Sequence, residues 1–193
     1  MMRYDRIIII GMFAAMFLQT IGFGLFLRKN KRSMGGTPPI NPFVFKLSKA
    51  AMMLTWVALF IQAVGVYDLR MFDRSGTVTM LAVVSFSLGA LLQFVSQACL
   101  GKNLKFGIPG REEARASTLR TKGIYRFSRN PMYVGFFLMM AGALLYTSNP
   151  FVGALSLFAM VVHHVIVLRE ERFLAGRFGL EWKQYVSSVR RYV

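Results

Sequence analysis

The sequence has little of several residues and motifs on which common kinds of protein depend. It contains one cysteine, Cys99, which excludes an intramolecular disulfide and a metal cluster built on cysteines. Acidic residues are few, 8 against 24 lysines and arginines. The phosphate-binding loop, the dinucleotide fingerprint and the nucleophile elbow have no match, and there is no strand-rich region to carry them. Soluble enzymes of the nucleotide-binding folds are therefore excluded.

Metal-ligand patterns are also missing. The two histidines, His163 and His164, are adjacent, so on a helix they point about 100° apart and do not easily share one ion. No zinc-protease pattern or carboxylate at a matching spacing accompanies them. We expect no metal site. We interpret both histidines as polar lining of a substrate cavity or as hydrogen-bonding groups between helices, in preference to catalysis.

Apolar sequence is what the chain has in abundance: 55% of its residues are hydrophobic, and they come in long blocks. Residues 7–27, 50–67, 77–100 and 151–168 each have about the 20 residues that a membrane-spanning helix needs. A fifth block, 132–147, would reach about 24 Å as a helix, so we expect it to pack on a partner helix or near one leaflet. A short Ser-Asn-Pro turn joins it to the last block as a helical hairpin. The sequence predicts an all-α polytopic membrane bundle with about five transmembrane helices.

The basic residues are concentrated in three segments. Residues 28–49 hold six lysines and arginines, residues 101–130 hold eight, and residues 169–193 hold six. With five spans all three segments fall on one side, which the positive-inside rule assigns to the cytoplasm. The N-terminus is then outside, the C-terminus is inside, and Arg115 and Arg177 share a side. The expected location is the cell inner membrane, or the endoplasmic reticulum in a eukaryote.

A signal peptide and a nucleic-acid-binding surface account less well for these features. The apolar stretch after Arg6 is too long for a signal peptide and has no small-residue cleavage site, so we expect it to be retained as the first helix. No aromatic-interleaved platform for single strands accompanies the basic surplus, so we expect membrane lipids and no nucleic acid as partners.

The region after the last apolar block has its own helical pattern. Glycines at 176 and 179 are expected to weaken or bend this helix, which should lie at the cytoplasmic interface or cover the cytoplasmic end of the bundle. Its apolar residues recur at steps of three and four: Leu174, Phe178, Trp182, Tyr185 and Val189.

Two polar segments stand next to the apolar hairpin. Asn130 and Pro131 are good first residues of a helix, and Arg129 beside them adds a permanent charge to a helix end that attracts anions. Glu170 and Glu171 follow the last span, where they either pair with neighbouring arginines at the interface or bind a hydroxyl, an amine or a cationic ligand.

These two segments resemble the isoprenylcysteine carboxyl methyltransferase and phospholipid methyltransferase family of integral-membrane enzymes. That family has an Arg-His-Pro-x-Tyr-x-Gly element, a hairpin and a Glu-Glu-x-x-Leu element in the same order. Here the first reads Arg129 to Gly135 and the second Glu170 to Leu174. The likeness covers about the last 90 residues, and the first three spans match only in character. Asn130 replaces the histidine, and an asparagine cannot titrate near neutral pH.

The resemblance implies S-adenosylmethionine bound between the loop, the hairpin and the C-terminal helix, in residues 119–135 and 163–186. Its methyl group would face a cavity that lipophilic acceptors reach from the bilayer. Arg129 is expected to anchor an acceptor carboxylate, and Glu170 to orient the acceptor or a bound amine. Histidines 163 and 164 would line the substrate cavity. The predicted cofactor-binding residues are Gly123, Ile124, Tyr125, Asn130, Pro131, Tyr133, Gly135, Glu171 and Leu174. We also expect Gly135 to lie where the hairpin helices approach.

Several alternatives stay open at this point. A prenylcysteine-like carboxylate, a lipid amine and a thiol are all suitable acceptors. The Arg-Asn-Pro form also resembles sterol and steroid reductases, in which Arg120, Lys122 and Arg126 would bind the 2′-phosphate of NADPH. A non-catalytic membrane scaffold is the third possibility. We expect one domain over residues 1–193, with three spans in 1–100 and the cofactor-binding part in 101–193; the oligomeric state is not predicted.

Overall fold

The computed structural model describes residues 4–30, 35–110 and 118–192, apart from the side chain of residue 102. Arg115 lies outside these ranges. No strand occurs within them, and two isolated β-bridges join residues 35 and 37 to residues 106 and 108. The all-α prediction is confirmed. The described residues form five α-helices, α1 (Tyr4–Lys29), α2 (Pro42–Val64), α3 (Gly76–Leu100), α4 (Pro131–Thr147) and α5 (Pro150–Ser188), and two 3₁₀ turns, Gly101–Asn103 and Gly123–Arg126.

Local signals set the helix ends. The Asn41 side chain accepts the backbone N–H of Phe43 at 2.9 Å, and Pro42 follows at the first helical position. Gly65, with φ 81°, ends the helix in the left-handed conformation. For this reason α2 runs over Pro42–Val64 and not over the predicted 50–67. Lys49, counted as a loop residue from the sequence, is therefore a helix residue.

The helices are those of an integral membrane protein. α1, α2, α3 and α5 are long and apolar enough to cross a membrane, judged by length and composition. The fourth helix has 17 residues, about 25 Å, and packs against α3, as expected of a short helix that needs a partner. The prediction of a polytopic helical bundle is confirmed.

One end of the bundle collects the start of α1 and two tight connections. The Asn149 amide donates to the Leu69 carbonyl at 2.7 Å, which joins the α4–α5 turn to the α2–α3 link. The Tyr146 hydroxyl donates to Asp5 Oδ2 at 3.0 Å, and Arg74 hydrogen-bonds the Tyr146 carbonyl. The described parts of the three basic segments lie at the opposite end.

Helices α3 and α4 approach closely at glycines. A Cβ added to Gly135 would lie 2.6 Å from the Gly89 carbonyl oxygen, and one added to Gly142 would lie 2.8 Å from that of Ala82. The Ser85 hydroxyl also donates to the Leu138 carbonyl at 2.8 Å. The small residues thus serve the contact with α3, whereas the sequence analysis expected Gly135 to face α5.

The fifth helix bends at one of its two predicted glycines. Gly179 has φ 51° and ψ −114°, a conformation that only glycine adopts readily, while Gly176 stays helical. The bend redirects the last turns, so that Trp182 and Tyr185 become buried.

Candidate active site

A cavity of about 190 Å³ opens at the basic end of the bundle. The loop after α3, the start of α4 and the second half of α5 form its walls. Both motif segments of the sequence contribute to it, although some forty residues separate them in the chain. Its lining includes Asn103, Leu104, Lys105, Thr118, Arg120, Tyr125, Arg129, Asn130, Tyr133, Glu170, Phe173, Leu174, Phe178, Trp182 and Tyr185.

The structure brings together about half of the predicted site residues. The cavity wall contains Tyr125, Arg129, Asn130, Tyr133, Glu170 and Leu174. The apolar stripe of the C-terminal region faces the cavity as well, through Leu174, Phe178, Trp182 and Tyr185. The remaining predicted residues lie outside the wall: Gly123, Ile124, Pro131, Gly135, Glu171, His163 and His164.

Four of those residues shape the backbone beside the cavity. Gly123 has φ 67° and would place a Cβ 3.0 Å from the Cys99 sulfur, so it lets the 3₁₀ turn start against α3. The carbonyl of Ile124 accepts the N–H of Phe127 at 3.1 Å and closes that turn. Pro131 is buried at the first position of α4. The fourth, Gly135, lies at the α3 contact described above. A direct role of these residues in cofactor binding stays a prediction.

Glu171 is the centre of a buried ionic cluster. Its Oε1 accepts from Arg129 Nε at 3.1 Å and from the Asn130 amide at 2.8 Å, and its Oε2 accepts from Arg191 Nε at 3.0 Å. The Arg129 and Glu171 side chains are 9% and 10% exposed, so both charges depend on these bonds. We name Glu171, Arg129, Asn130 and Arg191 the Glu171 cluster.

Residues 189–192, here called the closing segment, complete this cluster. The Val189 carbonyl accepts from Arg129 Nη1 at 2.6 Å, and the Arg190 carbonyl accepts from the Arg129 backbone at 2.9 Å. The Asn130 amide donates also to the Arg191 carbonyl at 3.2 Å. Three of the five guanidinium N–H groups of Arg129 are therefore engaged. The sequence Val-Arg-Arg-Tyr of this segment is part of the family resemblance, but sequence reasoning assigned no site residue to it, since its partners Arg129 and Asn130 lie some sixty residues earlier in the chain.

The asparagine at the start of α4 acts differently from the prediction. Asn130 occupies the N-cap position, but its side chain accepts no capping hydrogen bond and its amide donates to Glu171 instead. An imidazole N–H is a donor of the same kind. The bond to Glu171 thus needs a donor but no titratable group, and asparagine supplies the donor.

The neighbouring carboxylate faces the cavity. Glu170 Oε2 accepts the hydroxyl hydrogen of Tyr133 at 3.0 Å. Consecutive residues of a helix point about 100° apart, so the two adjacent glutamates face different surroundings. Glu171 is occupied by its ionic cluster, whereas Glu170 presents a carboxyl group in the cavity wall next to a phenol.

Aromatic side chains form the rest of the wall. The Tyr185 hydroxyl donates to the carbonyl of Tyr125 at 2.6 Å, which ties the end of α5 to the 3₁₀ turn. Burial raises the pKa of the Tyr125 phenol, so this side chain stays neutral near pH 7. The guanidinium carbon of Arg129 lies 5.9 Å from the centre of the Trp182 ring. The wall thus offers flat apolar faces beside one carboxylate.

The two histidines make separate hydrogen bonds. His163 Nε2 lies 3.4 Å from Lys49 Nζ on α2, and His164 Nδ1 lies 2.6 Å from the Tyr192 hydroxyl in the closing segment. Of the two roles considered for them, hydrogen bonding between elements is the one observed. Lys49 was missed; the signal for it was the Asn41–Pro42 helix start, which places it in α2. In the part of the chain that the structure describes, no three His, Cys, Asp or Glu side chains are grouped to hold a metal ion.

Comparisons with known proteins identify the family of the chain. The family model described as phospholipid methyltransferase matches residues 77–181, just over half of the chain. The match begins in α3, earlier than the motifs suggested, and so takes in the tightly packed α3–α4 pair. It ends before the closing segment.

A curated relative supports the same family. Protein-S-isoprenylcysteine O-methyltransferase A of Arabidopsis thaliana is 39% identical over 74 residues, which cover 37% of this chain and 36% of that protein. The similarity to the relative is thus confined to about a third of its length. The motif order, the helical bundle and the family match agree, and the chain belongs to the phospholipid methyltransferase family.

Proposed function

We propose that this protein transfers a methyl group from S-adenosylmethionine to a lipophilic acceptor that reaches the cavity from the bilayer. The observation that carries the proposal is a cavity lined by both family motifs. Membership of the family supports it. The relative from Arabidopsis is named for O-methylation of isoprenylcysteine, and a carboxylate of that kind is one candidate acceptor here.

The residues of the cavity fit the chemistry of the cofactor. The Glu170 carboxylate suits an ammonium or a sulfonium, and Tyr125 and Trp182 offer aromatic faces for an adenine. Arg120 and Lys105 supply positive charge for the amino-acid carboxylate. When bound, the cofactor supplies an electrophilic methyl group on sulfur.

The chain's own task in such a reaction is alignment and exclusion of water. A carboxylate or thiolate acceptor needs no general base, so the wall has to hold the acceptor in line and keep solvent out. An amine acceptor must lose a proton, and Glu170 is the carboxylate placed to accept it. Arg129 is better suited to positioning than to holding an acceptor, since three of its N–H groups already bind the Glu171 cluster and the closing segment.

The reductase alternative finds less support in the cavity. It requires cations for the 2′-phosphate of NADPH, and of the three predicted ones only Arg120 lines the wall. The Arg126 guanidinium instead lies over the Phe127 ring at 4.5 Å. NADPH is therefore the competing ligand against which the proposal is tested.

We further propose that the basic end of the bundle faces the cytoplasm. The described basic segments meet at that end, as the positive-inside rule expects of a cytoplasmic face. The cavity then draws its soluble cofactor from the cytoplasm and its acceptor from the membrane. Residues 1–193 would form one functional unit, because the closing segment completes a site begun at α4.

Binding of S-adenosylhomocysteine beside NADPH, measured by calorimetry on detergent-purified protein, tests the proposed function. We expect S-adenosylhomocysteine to bind and NADPH not to bind. Glu170→Gln should weaken binding about tenfold, the effect of losing one charge-assisted hydrogen bond. Glu181→Gln removes an exposed charge from the same helix and should leave the affinity unchanged. Binding of NADPH alone would overturn the proposal for the reductase, and binding of neither would favour the scaffold.

A further inference from the structure

Lys49 is a cation placed within an apolar helix. It lies seven residues after Pro42, about 10 Å along α2, and is half-buried. Its Nζ is 3.4 Å from His163 Nε2 and 5.2 Å from the centre of the Phe45 ring. Among the residues that the structure describes, no carboxylate oxygen lies within 4 Å of this ammonium. Glu170 acts on it electrostatically without a direct contact, and a cation at such a position is costly without a directly bonded anion.

His163 determines how the ammonium is oriented. Its Nδ1 lies 2.7 Å from the Ala159 carbonyl, which can only accept, so Nδ1 carries the hydrogen. The lone pair of Nε2 therefore faces Lys49 and accepts one of its three hydrogens. The imidazole is packed against the Phe136 ring at 4.3 Å and is 4% exposed, so it is firmly held. The remaining donors of Lys49 are left for another group.

The pair adjoins the proposed active site. The ring of Tyr133 lies 6.3 Å from that of His163, and its hydroxyl donates to Glu170 in the cavity wall. His163 and Glu170 are seven residues apart, two turns along the same face of α5. A continuous row of side chains therefore leads from Lys49 on α2 to the cavity.

We propose that Lys49, oriented by His163, binds an oxyanion of the methyl acceptor and so positions the acceptor's nucleophile toward the cavity. This inference rests on the proposed function. In a lipid amine a phosphate stands next to the nucleophilic nitrogen. In a prenylcysteine-like acceptor the carboxylate is itself the nucleophile, and one of its oxygens would bind Lys49 while the other attacks the methyl group. Both oxyanions satisfy the ammonium through a charge-assisted hydrogen bond, which determines the end of the headgroup that lies at Lys49.

The test measures binding of three probes to detergent-purified protein by calorimetry. Dihexanoyl phosphatidylethanolamine carries a phosphate, N-acetyl-S-farnesylcysteine carries a carboxylate, and oleylamine carries no oxyanion. We expect the wild type to bind at least one of the first two. Lys49→Met and Lys49→Gln should weaken that binding by about tenfold or more, the loss expected for a charge-assisted hydrogen bond, and leave oleylamine unaffected. Lys49→Arg should stay within about threefold of the wild type.

Matched controls separate this inference from folding and from the proposed function. Lys46→Met removes an exposed charge one turn earlier in α2 and should change nothing. Each variant is also titrated with S-adenosylhomocysteine, whose affinity should stay within about twofold of the wild type if the fold is intact. Lys49→Gln keeps a polar partner for His163, so its affinity for the oxyanion probes tests the inference if Lys49→Met is unfolded.

The results that would contradict this inference differ from those that would contradict the proposed function. The inference is overturned if the wild type binds neither oxyanion probe, or if a folded Lys49 variant binds them as the wild type does. Failure of S-adenosylhomocysteine to bind the wild type contradicts the proposed function instead, whatever the lipid probes show. Selective loss of the phosphate probe or of the carboxylate probe identifies which acceptor chemistry Lys49 serves.

Discussion

At the level of single residues, the candidate site contains two adjacent carboxylates with different surroundings. Glu171 shares its two oxygens among two arginines and an amide, and it is nearly inaccessible. Glu170 contacts Tyr133 and faces the cavity. A substitution of Glu171 should therefore affect chiefly the stability of the protein, and a substitution of Glu170 should affect chiefly the binding of ligand.

We predict that Glu171→Ala destabilises the protein strongly. The substitution leaves the buried Arg129 guanidinium without its counter-ion, and breaking a buried pair in this way costs about 3–5 kcal/mol. Thermal unfolding in detergent, followed by circular dichroism, measures the loss. Glu171→Gln keeps a hydrogen-bond acceptor and should lose less.

The matched control for this prediction is Glu181→Ala, because Glu181 is an exposed carboxylate on the same helix. Its unfolding temperature should equal that of the wild type. An unfolding temperature of Glu171→Ala equal to that of Glu181→Ala would show that the Glu171 cluster contributes nothing to stability.

At the scale of the helices, the close contact between α3 and α4 holds in place the part of α4 that lines the cavity. Gly89 and Gly135 each lie where an added Cβ would touch the backbone of the other helix. The residues of α4 that line the cavity stand within one or two turns of this contact. The position of Tyr133 in the wall thus depends on how closely the two helices pack.

Gly135→Ala should push these helices apart. Its Cβ would lie 2.6 Å from a backbone oxygen that cannot rotate away, so we expect a destabilisation of about 1–3 kcal/mol. Affinity for S-adenosylhomocysteine should fall together with the unfolding temperature.

Gly11→Ala in α1 provides the comparison, since nothing lies within 4 Å of a Cβ at that helical position. It should be neutral or slightly stabilising, as alanine replaces glycine in a helix. If both variants unfold at the same temperature, the close contact between α3 and α4 has no energetic role.

At the scale of the whole molecule, the two ends of the bundle differ in chemistry. One end carries the Asp5–Arg74–Tyr146 contacts and short links, while the other carries the basic segments and the cavity. By the positive-inside rule, this asymmetry of charge determines which end of the bundle faces the cytoplasm.

We predict that the two ends lie on opposite sides of the membrane, with the cavity end in the cytoplasm. In a Cys99→Ser background, cysteines introduced at the exposed positions Asp73 and Lys183 report the two ends. A membrane-impermeant maleimide applied to intact cells should label Asp73→Cys only, and Lys183→Cys should react after permeabilisation. Labelling of both positions in intact cells would contradict this topology.

The sequence alone predicted the bundle well and the site in part, for physical reasons. Apolar length is a local property, so the helical blocks were visible, and motif order identified Glu170 and Tyr133. The start of α2 was misplaced because Lys46 and Lys49 interrupt the apolar run, whereas Asn41 and Pro42 decide where the helix begins. Contacts between distant residues were not visible: nothing near Glu171 in the chain indicates that Arg191 binds it.

The closing segment has a consequence for the order in which the protein matures. Residues 189–192 are synthesised after all five helices, yet they supply three carbonyl groups and one guanidinium to residues at the start of α4 and to Glu171. A ribosome-bound chain that lacks them has its helices in the membrane and its site unfinished. We therefore expect insertion of the helices and completion of the site to be separate events, with the second possible only after Arg191 has been synthesised.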